Sequence, residues 1–399
     1  MISYLAGVCS SALSFVFVVF AIGALGYMIG GLKVKGIELG TAGVLLIALL
    51  YGILVHAVPS FQIGEKTITL YSASIKDHFG IVSNIGTALF VTAVGLIAGP
   101  KFFRSFNRKT LAYIVIGVIV IAIGAVTAVV CVLIDGNLTK EMAVGLLTGG
   151  LTSTPGLSAA KEVAENPDQV VAGYGIAYLF GVLGVVFFVQ LMPKILKVDM
   201  KKEVENFHAA NTVTVPQPKR KLIELDPFSF FPFFLAVALG CVIGSLKIPG
   251  INFSLGNSGG TLIGGLIVGH LAHIGPFDCR VKKETLNFMR ELGLALFLIG
   301  AGVPGGVNFV ENVRMSYFLY GALMTLMPMI VGYIIARYVF KLSILNNLGS
   351  ITGGMTSTPA LGTLIATAGT DEVSSAYAAT YPFALVSVVL AAKIIVMFL

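Results

Sequence analysis

Ten apolar runs of about 18 residues or more alternate with short polar breaks along the chain: 10–31, 39–58, 81–98, 110–134, 170–195, 228–246, 257–274, 286–303, 316–340 and 373–397. Runs of this length read as helices that cross a hydrocarbon layer ~30 Å thick. Two further stretches, 141–165 and 345–368, are apolar but broken by Gly, Ser, Thr and Pro. The breaking phrases nearly coincide. "TGGLTSTPGL" (148–157) and "TGGMTSTPAL" (352–361) share eight of ten positions, while the ten that follow share only Ala164 with Ala368.

The self-similarity is wider than the phrase. "ALGYMIGGLKVKGI" (24–37) matches "ALGCVIGSLKIPGI" (238–251), "LVHAVP" (54–59) matches "LAHIGP" (271–276), and "NIGTALF" (84–90) matches "ELGLALF" (291–297). The order is the same in both halves, which predicts a tandem duplication: a first membrane repeat over 1–198 and a second over 227–399. Between them, 199–226 is charged and contains prolines, the composition of a linker. If each broken segment crosses the membrane, each half crosses six times and the halves are parallel. If it enters and leaves on one face, each half crosses five times and the second is inverted.

Lysine and arginine decide between the two, because cytoplasmic loops collect them. With five crossings and the N-terminus outside, 18 of the 26 fall inside, among them Lys33, Lys101, Lys202, Lys282 and Arg337. Lys66, Lys76, Lys140, Lys247, Arg314 and Lys393 fall outside; Lys161 and Arg290 are left unassigned. Six crossings would put the basic linker on the face opposite Lys33–Lys109. The expected fold is therefore an all-α polytopic membrane protein of two inverted-topology repeats. Each has about five transmembrane helices plus one broken or re-entrant segment, and the linker is cytoplasmic.

Composition narrows the function classes. The chain of 399 residues is 56% apolar and 11% charged, against about 25% charged in a soluble domain. The net charge of +7 does not argue for nucleic acid, because the basic residues sit in short loops beside the spans. Cys9, Cys131, Cys241 and Cys279 show no C-x-x-C spacing and read as small buried residues. Metal-ligand clusters and nucleophile–base pairs are not apparent in the spans, so no metal, no cofactor and no enzyme activity are expected.

The repeated phrase carries the candidate chemistry: Thr148, Gly149, Gly150, Thr152, Ser153, Thr154 and Pro155, then Thr352, Gly353, Gly354, Thr356, Ser357, Thr358 and Pro359. The glycines permit sharp turns. Proline suits the start of a helix, so Thr154 and Thr358 are expected as N-caps, with Pro155 and Pro359 as the first helical residues. Unwound backbone at membrane depth survives only where it is buried in protein or lines a wet cavity. Two helix starts brought together there offer free N–H groups and partial positive charge to an anion, most naturally a carboxylate. The alternative is that small residues merely let helices pack closely, but packing does not demand T-S-T-P twice. Three residues rank as accessory candidates. Asn84 and Glu291 match each other near span starts, where an ionisable group would bind a coupling ion or proton, unless Glu291 simply pairs with Arg290 at the interface. Lys161 could approach a substrate carboxylate or snorkel to the interface.

Duplicated halves each carrying "TGG(L/M)TSTP" resemble the aspartate–alanine exchanger family of bacterial transporters, over nearly the whole chain. The resemblance implies an inner-membrane carrier that exchanges or exports small carboxylates, such as aspartate against alanine, or dicarboxylates. It makes the two phrases the substrate region. Many members hold soluble regulatory domains between the halves, where this chain has only 199–226. The expected partners are a small carboxylate or amino-acid substrate and the lipid bilayer, without nucleic acid; a homodimer is compatible with the reading. Alternating access is expected, by rocking or an elevator motion, with the broken segments and the spans after them (170–195 and 373–397) moving against the others. The competing readings are a sodium- or proton-coupled organic-anion symporter and an anion channel.

Overall fold

The computed structural model describes residues 14–34, 37–38, 41–63, 66–102, 111–197, 203, 222–248, 253–307, 309, 313–369 and 373–399. Most of the expected linker, and Cys9, lie outside the described residues. The first half forms helices α1 (Phe15–Gly30), α2 (Ala42–Ala57), α3 (Ala73–Phe102), α4 (Leu111–Ile134), α5 (Lys140–Gly150), α6 (Thr154–Val163) and α7 (Pro167–Ile195). The second forms α8 (Phe230–Ser245), α9 (Gly256–Leu271), α10 (Lys283–Val307), α11 (Met315–Tyr338), α12 (Ile344–Gly354), α13 (Thr358–Ala368) and α14 (Ser374–Phe398). Six of these are long and apolar enough to cross a membrane: α3, α4, α7, α10, α11 and α14.

The helices α1, α2, α8 and α9 have 16 residues each. At 1.5 Å per residue each is about 24 Å long, short of the hydrocarbon thickness. Two-stranded antiparallel hairpins carry the chain onward from them: β1–β2 (Lys33–Val34 with Ile37–Glu38), β3–β4 (Ser60–Ile63 with Lys66–Thr69), β5–β6 (Lys247–Ile248 with Phe253–Ser254) and β7–β8 (His273–Ile274 with Phe277–Asp278). Full-length helices were expected here.

Close glycine contacts fix the direction of each helix. In α3 and α10, Gly86 lies against Gly293 and Phe297, and Gly300 against Phe79 and Ser83, so the two run antiparallel. In α3 and α9, Gly95 meets Gly265 and Gly99 meets Gly269, so these run parallel. The same reading of Gly52 against Gly306 and Gly302 against Ala48 makes α2 parallel to α10. Thus α3 runs opposite to α10, and α2 opposite to α9. Lys76 at the start of α3 bonds Asp168 at the start of α7 at 2.8 Å, and Tyr320 early in α11 donates to Asp135 beyond the end of α4 at 3.1 Å. These ends share one face with the start of α1 and the end of α14. We call it the termini face, and the opposite one, where α7 ends and α8 begins, the linker face.

The broken segments turn back. Gly145 of α5 packs on Val170 and Gly173 of α7, and Gly149 on Tyr174 and Ala177, so α5 and α7 run side by side in the same direction. Both begin at the termini face, where Thr139 donates to Gln169 at 2.6 Å; α6 must therefore return the chain to that face. In the second half Gly349 meets Val373 and Ala376, and Gly353 meets Tyr377 and Thr380. So α12 enters from the linker face and α13 returns to it. Local signals agree: Thr139 and Ser343, 204 positions apart like the phrases, cap α5 and α12 by accepting from Met142 N and Asn346 N. Asn166 and Pro167 start α7 in the order a helix N-terminus favours.

Packing divides the helices into two groups. One holds α1, α2, α3, α8, α9 and α10; the other holds α4–α7 and α11–α14. The spans 110–134 and 316–340 thus pack with the broken segments rather than with the scaffold to which the sequence reading gave them. The outer faces of the first group expose Phe17, Phe20, Met28, Phe234 and Val242, an apolar coat suited to lipid.

Candidate functional site

The two breaks meet. Thr152 Oγ1 donates to the Met355 carbonyl at 3.0 Å, and Thr356 Oγ1 donates to the Leu151 carbonyl at 2.8 Å. This reciprocal pair ties a hairpin entering from one face to a hairpin entering from the other. Thr152 and Thr356 both adopt the left-handed backbone, φ 54° and 52°, a conformation that β-branched residues disfavour by roughly 1–2 kcal/mol. Each helix closes with the same pair of turn bonds: Ser153 N to Thr148 O (2.7 Å) with Thr152 N to Gly149 O (2.9 Å), and Ser357 N to Thr352 O with Thr356 N to Gly353 O, both 3.1 Å. Glycine usually takes the left-handed place in such a terminus, but glycine has no hydroxyl to reach the opposite hairpin.

This corrects two expectations. The sharp turns belong to Thr152 and Thr356, not to the glycines. Gly149, Gly150, Gly353 and Gly354 are the last residues of α5 and α12, and they let these helices lie against Tyr174, Thr325, Tyr377 and Val120. The N-caps are Ser153 and Ser357, so Thr154 and Thr358 are the first helical residues, with Pro155 and Pro359 one place later. A residue before proline avoids helical angles, but the capping contact prevails here: Ser153 Oγ accepts from Gly156 N at 3.3 Å.

The phrase residues then separate by role. Thr148 and Thr352 turn their hydroxyls back onto Val144 O and Leu348 O at 2.8 and 2.7 Å, and so serve their own helices. Thr154 is partly exposed and shares a hydrogen bond with Tyr174 Oη at 3.1 Å. Ser357 is fully buried at the N-cap position without a side-chain capping bond, and its Oγ has no hydrogen-bond partner among the described residues. The side chains of Thr358 and Pro359 lie outside the described residues.

Of the accessory candidates, Asn84 is exposed on α3, as are Ile81 and Ile85. Glu291 accepts from Thr41 Oγ1 at 3.0 Å and pairs with Arg290 at 2.9 Å, the pairing weighed in the sequence. Lys161 does not snorkel. Its Nζ donates to Ser83 Oγ at 3.2 Å and lies 5.3 Å from the Phe297 ring centroid, between α3 and α10.

Sequence reasoning missed several polar residues beside the first break. Ser158 Oγ lies 2.6 Å from Ser258 Oγ and 3.1 Å from Thr87 Oγ1. The Glu162 carboxylate accepts from Ser258 N and Oγ at 2.6 and 2.7 Å and pairs with Lys393 at 2.8 Å. Lys393, counted in the sequence among the outside charges, is fully buried in α14. Its signal was available as a lone cation within an apolar run. Tyr174 and Tyr178 meet with tilted rings at 5.1 Å between centroids, and Tyr377 and Tyr381 stack at 5.0 Å, at matching places in α7 and α14. Cys241 is exposed on α8, while Cys131 and Cys279 are buried as expected.

A family model described as a predicted permease membrane region, Asp-Al_Ex, matches residues 17–194 and 232–397. The chain belongs to the aspartate–alanine exchanger family. The match resumes in the second half after a gap that brackets the linker. An uncharacterized transporter of Bacteroides fragilis is 27% identical, covering 95% of this chain and 97% of the relative. One from Bacteroides thetaiotaomicron shows the same figures, and one from Desulfotalea psychrophila is 24% identical over 96% of each chain. These alignments run over 544 or 545 positions against 399 residues here, so the relatives carry inserted segments that this chain lacks. Family, relatives and apolar helices together indicate a multi-pass membrane transporter.

Proposed function

We propose that the protein is a secondary carrier of small carboxylates, exchanging or exporting amino acids such as aspartate, or dicarboxylates, across a bacterial inner membrane. The observation that carries this reading is the junction of two re-entrant helix pairs from opposite faces, with the starts of α6 and α13 beside it. Helix starts attract anions, and Ser357 Oγ is a buried donor without a partner among the described residues. In this reading Ser153, Thr154, Ser357 and Thr358 surround the substrate carboxylate, while Thr152 and Thr356 hold the two breaks together. The halves 1–198 and 227–399 act as inverted repeats, the architecture of carriers whose site lies where discontinuous helices meet. No ATP and no cofactor are required.

Ligand that binds only the folded protein raises its melting temperature, by about 2.7 kcal/mol of stabilisation at 100-fold excess over Kd. Aspartate or succinate is expected to produce this shift in purified protein, and Thr154→Val to reduce it at least ten-fold in apparent affinity, since a hydrogen bond to a charged group contributes ~1.5–3 kcal/mol. Undiminished binding by the variant would leave the phrase a packing device only.

The basic residues also divide by face: Lys33 and Lys282 lie at the linker face, Lys66 and Lys140 at the termini face. With the linker cytoplasmic, an impermeant thiol reagent added to intact cells should modify a cysteine at position 66 and spare one at 202. The reverse pattern would overturn the orientation.

A further inference from the structure

Helix α6 is fastened to the scaffold group, whereas its counterpart α13 packs on α7, α12 and α14. The fastening is a seam of short polar bonds between the two groups of helices. Lys161 and Ser158 of α6 bond Ser83 and Thr87 of α3 at 3.2 and 3.1 Å. Ser158 and Glu162 of α6 bond Ser258, in the first turn of α9. Nearer the termini face, Lys76 of α3 pairs with Asp168 of α7. We infer that this seam is the gate of the termini face, shut in the present structure, and that it must part for the central site to face that side. The inference rests on the carrier reading above.

The chemistry suits a contact that opens and closes. Ser258 gives the Glu162 carboxylate two donors, its N–H and its hydroxyl, both replaceable by water. The charged partner of Glu162 is different: Lys393 belongs to α14, in the same group as α6. When the groups separate, the ion pair travels together, and neither charge is left alone in a dry interior, where an unpaired charge is costly. The other charged groups around the seam are Lys161 on the same helix, Asp168 of α7 and Lys76 of α3. Thr41 at the start of α2 and Ser258 at the start of α9 hold matching places in the two halves, and each binds a carboxylate. The carboxylate at Thr41 is Glu291, within the scaffold group, so that contact does not join the two groups.

The test uses the full chain with Cys9, Cys131, Cys241 and Cys279 replaced, a cysteine reporter in Thr154→Cys, and an impermeant maleimide applied from the termini face. Labelling should be slow in this background and about ten-fold faster after Ser258→Ala, the change expected for one bond to a charged group. Equal rates in folded protein would overturn the gate. In a second arm without the Thr154→Cys reporter, Ser158→Cys with Ser258→Cys, bridged by oxidation or mercury, should abolish transport of aspartate or succinate, and reductant should restore it. Transport at the parent rate by bridged protein would also overturn the gate. If labelling responds to Ser258→Ala but no carboxylate is moved by any form, the gate stands and the carrier reading falls.

Discussion

Proteoliposomes loaded with unlabelled aspartate or succinate should take up the labelled anion at least ten-fold faster than empty ones. The reason lies in the two helix starts at the junction. Each presents roughly half a positive charge, and Ser357 Oγ adds a buried donor with no partner among the described residues. Moving these groups past a dry barrier without an anion leaves them uncompensated, at a cost of a few kcal/mol. In the proposed carrier a bound carboxylate would neutralise them, so the loaded form would reorient and the empty one would lag. Exchange would then outpace net flux. Equal uptake in loaded and empty vesicles, or uptake driven by a sodium or proton gradient alone, would reject exchange in favour of the ion-coupled symporter; steep voltage-dependent current without saturation would point to a channel.

Replacing both junction threonines, Thr152→Val with Thr356→Val, is expected to lower stability by about 2–6 kcal/mol. Valine keeps the volume and the branched Cβ, so the left-handed strain at φ 54° and 52° remains. What disappears is the reciprocal pair of bonds to Met355 O and Leu151 O. Each carbonyl left unpaired in the interior costs about 1–3 kcal/mol, and each single variant should therefore cost about that much. Because the bonds join two separate hairpins, loss of both should also separate the helix starts, and transport should fall more than either single variant predicts. Thr152→Ser with Thr356→Ser, which restores the hydroxyl, should recover most of both. Thermal unfolding in detergent measures the first effect and vesicle exchange the second. A double valine variant as stable and active as the parent would show that the junction contributes nothing.

Much of the architecture was legible before any coordinates, for physical reasons that can be named. A bilayer forces each spanning segment to satisfy its own backbone, so apolar runs report helices directly, and α3, α4, α7, α10, α11 and α14 fall within or around the runs read from the sequence. The duplication was legible because matched phrases keep their order. The re-entrant turn was legible only through the distribution of lysine and arginine, and the parallel course of α5 beside α7 agrees with it. The β-hairpins were not expected, although "SFQI" and "KTIT" alternate polar and apolar positions in the manner of strands.

What the sequence by itself determined was the membrane class, the repeated phrase and the break it makes in each half. Local rules sufficed, because apolarity, proline and capping residues act over a few positions. Only the tertiary structure decided which threonine takes the left-handed turn, which serine caps, and what each hydroxyl meets. Thr148 and Thr152 are the same residue type four positions apart, yet one bonds its own helix and the other a hairpin 203 positions away. The same holds for Lys393, which the count of basic residues placed outside and packing made the buried partner of Glu162. A partner that far along the chain is chosen by how the helices pack, and no short-range pattern of residues encodes it.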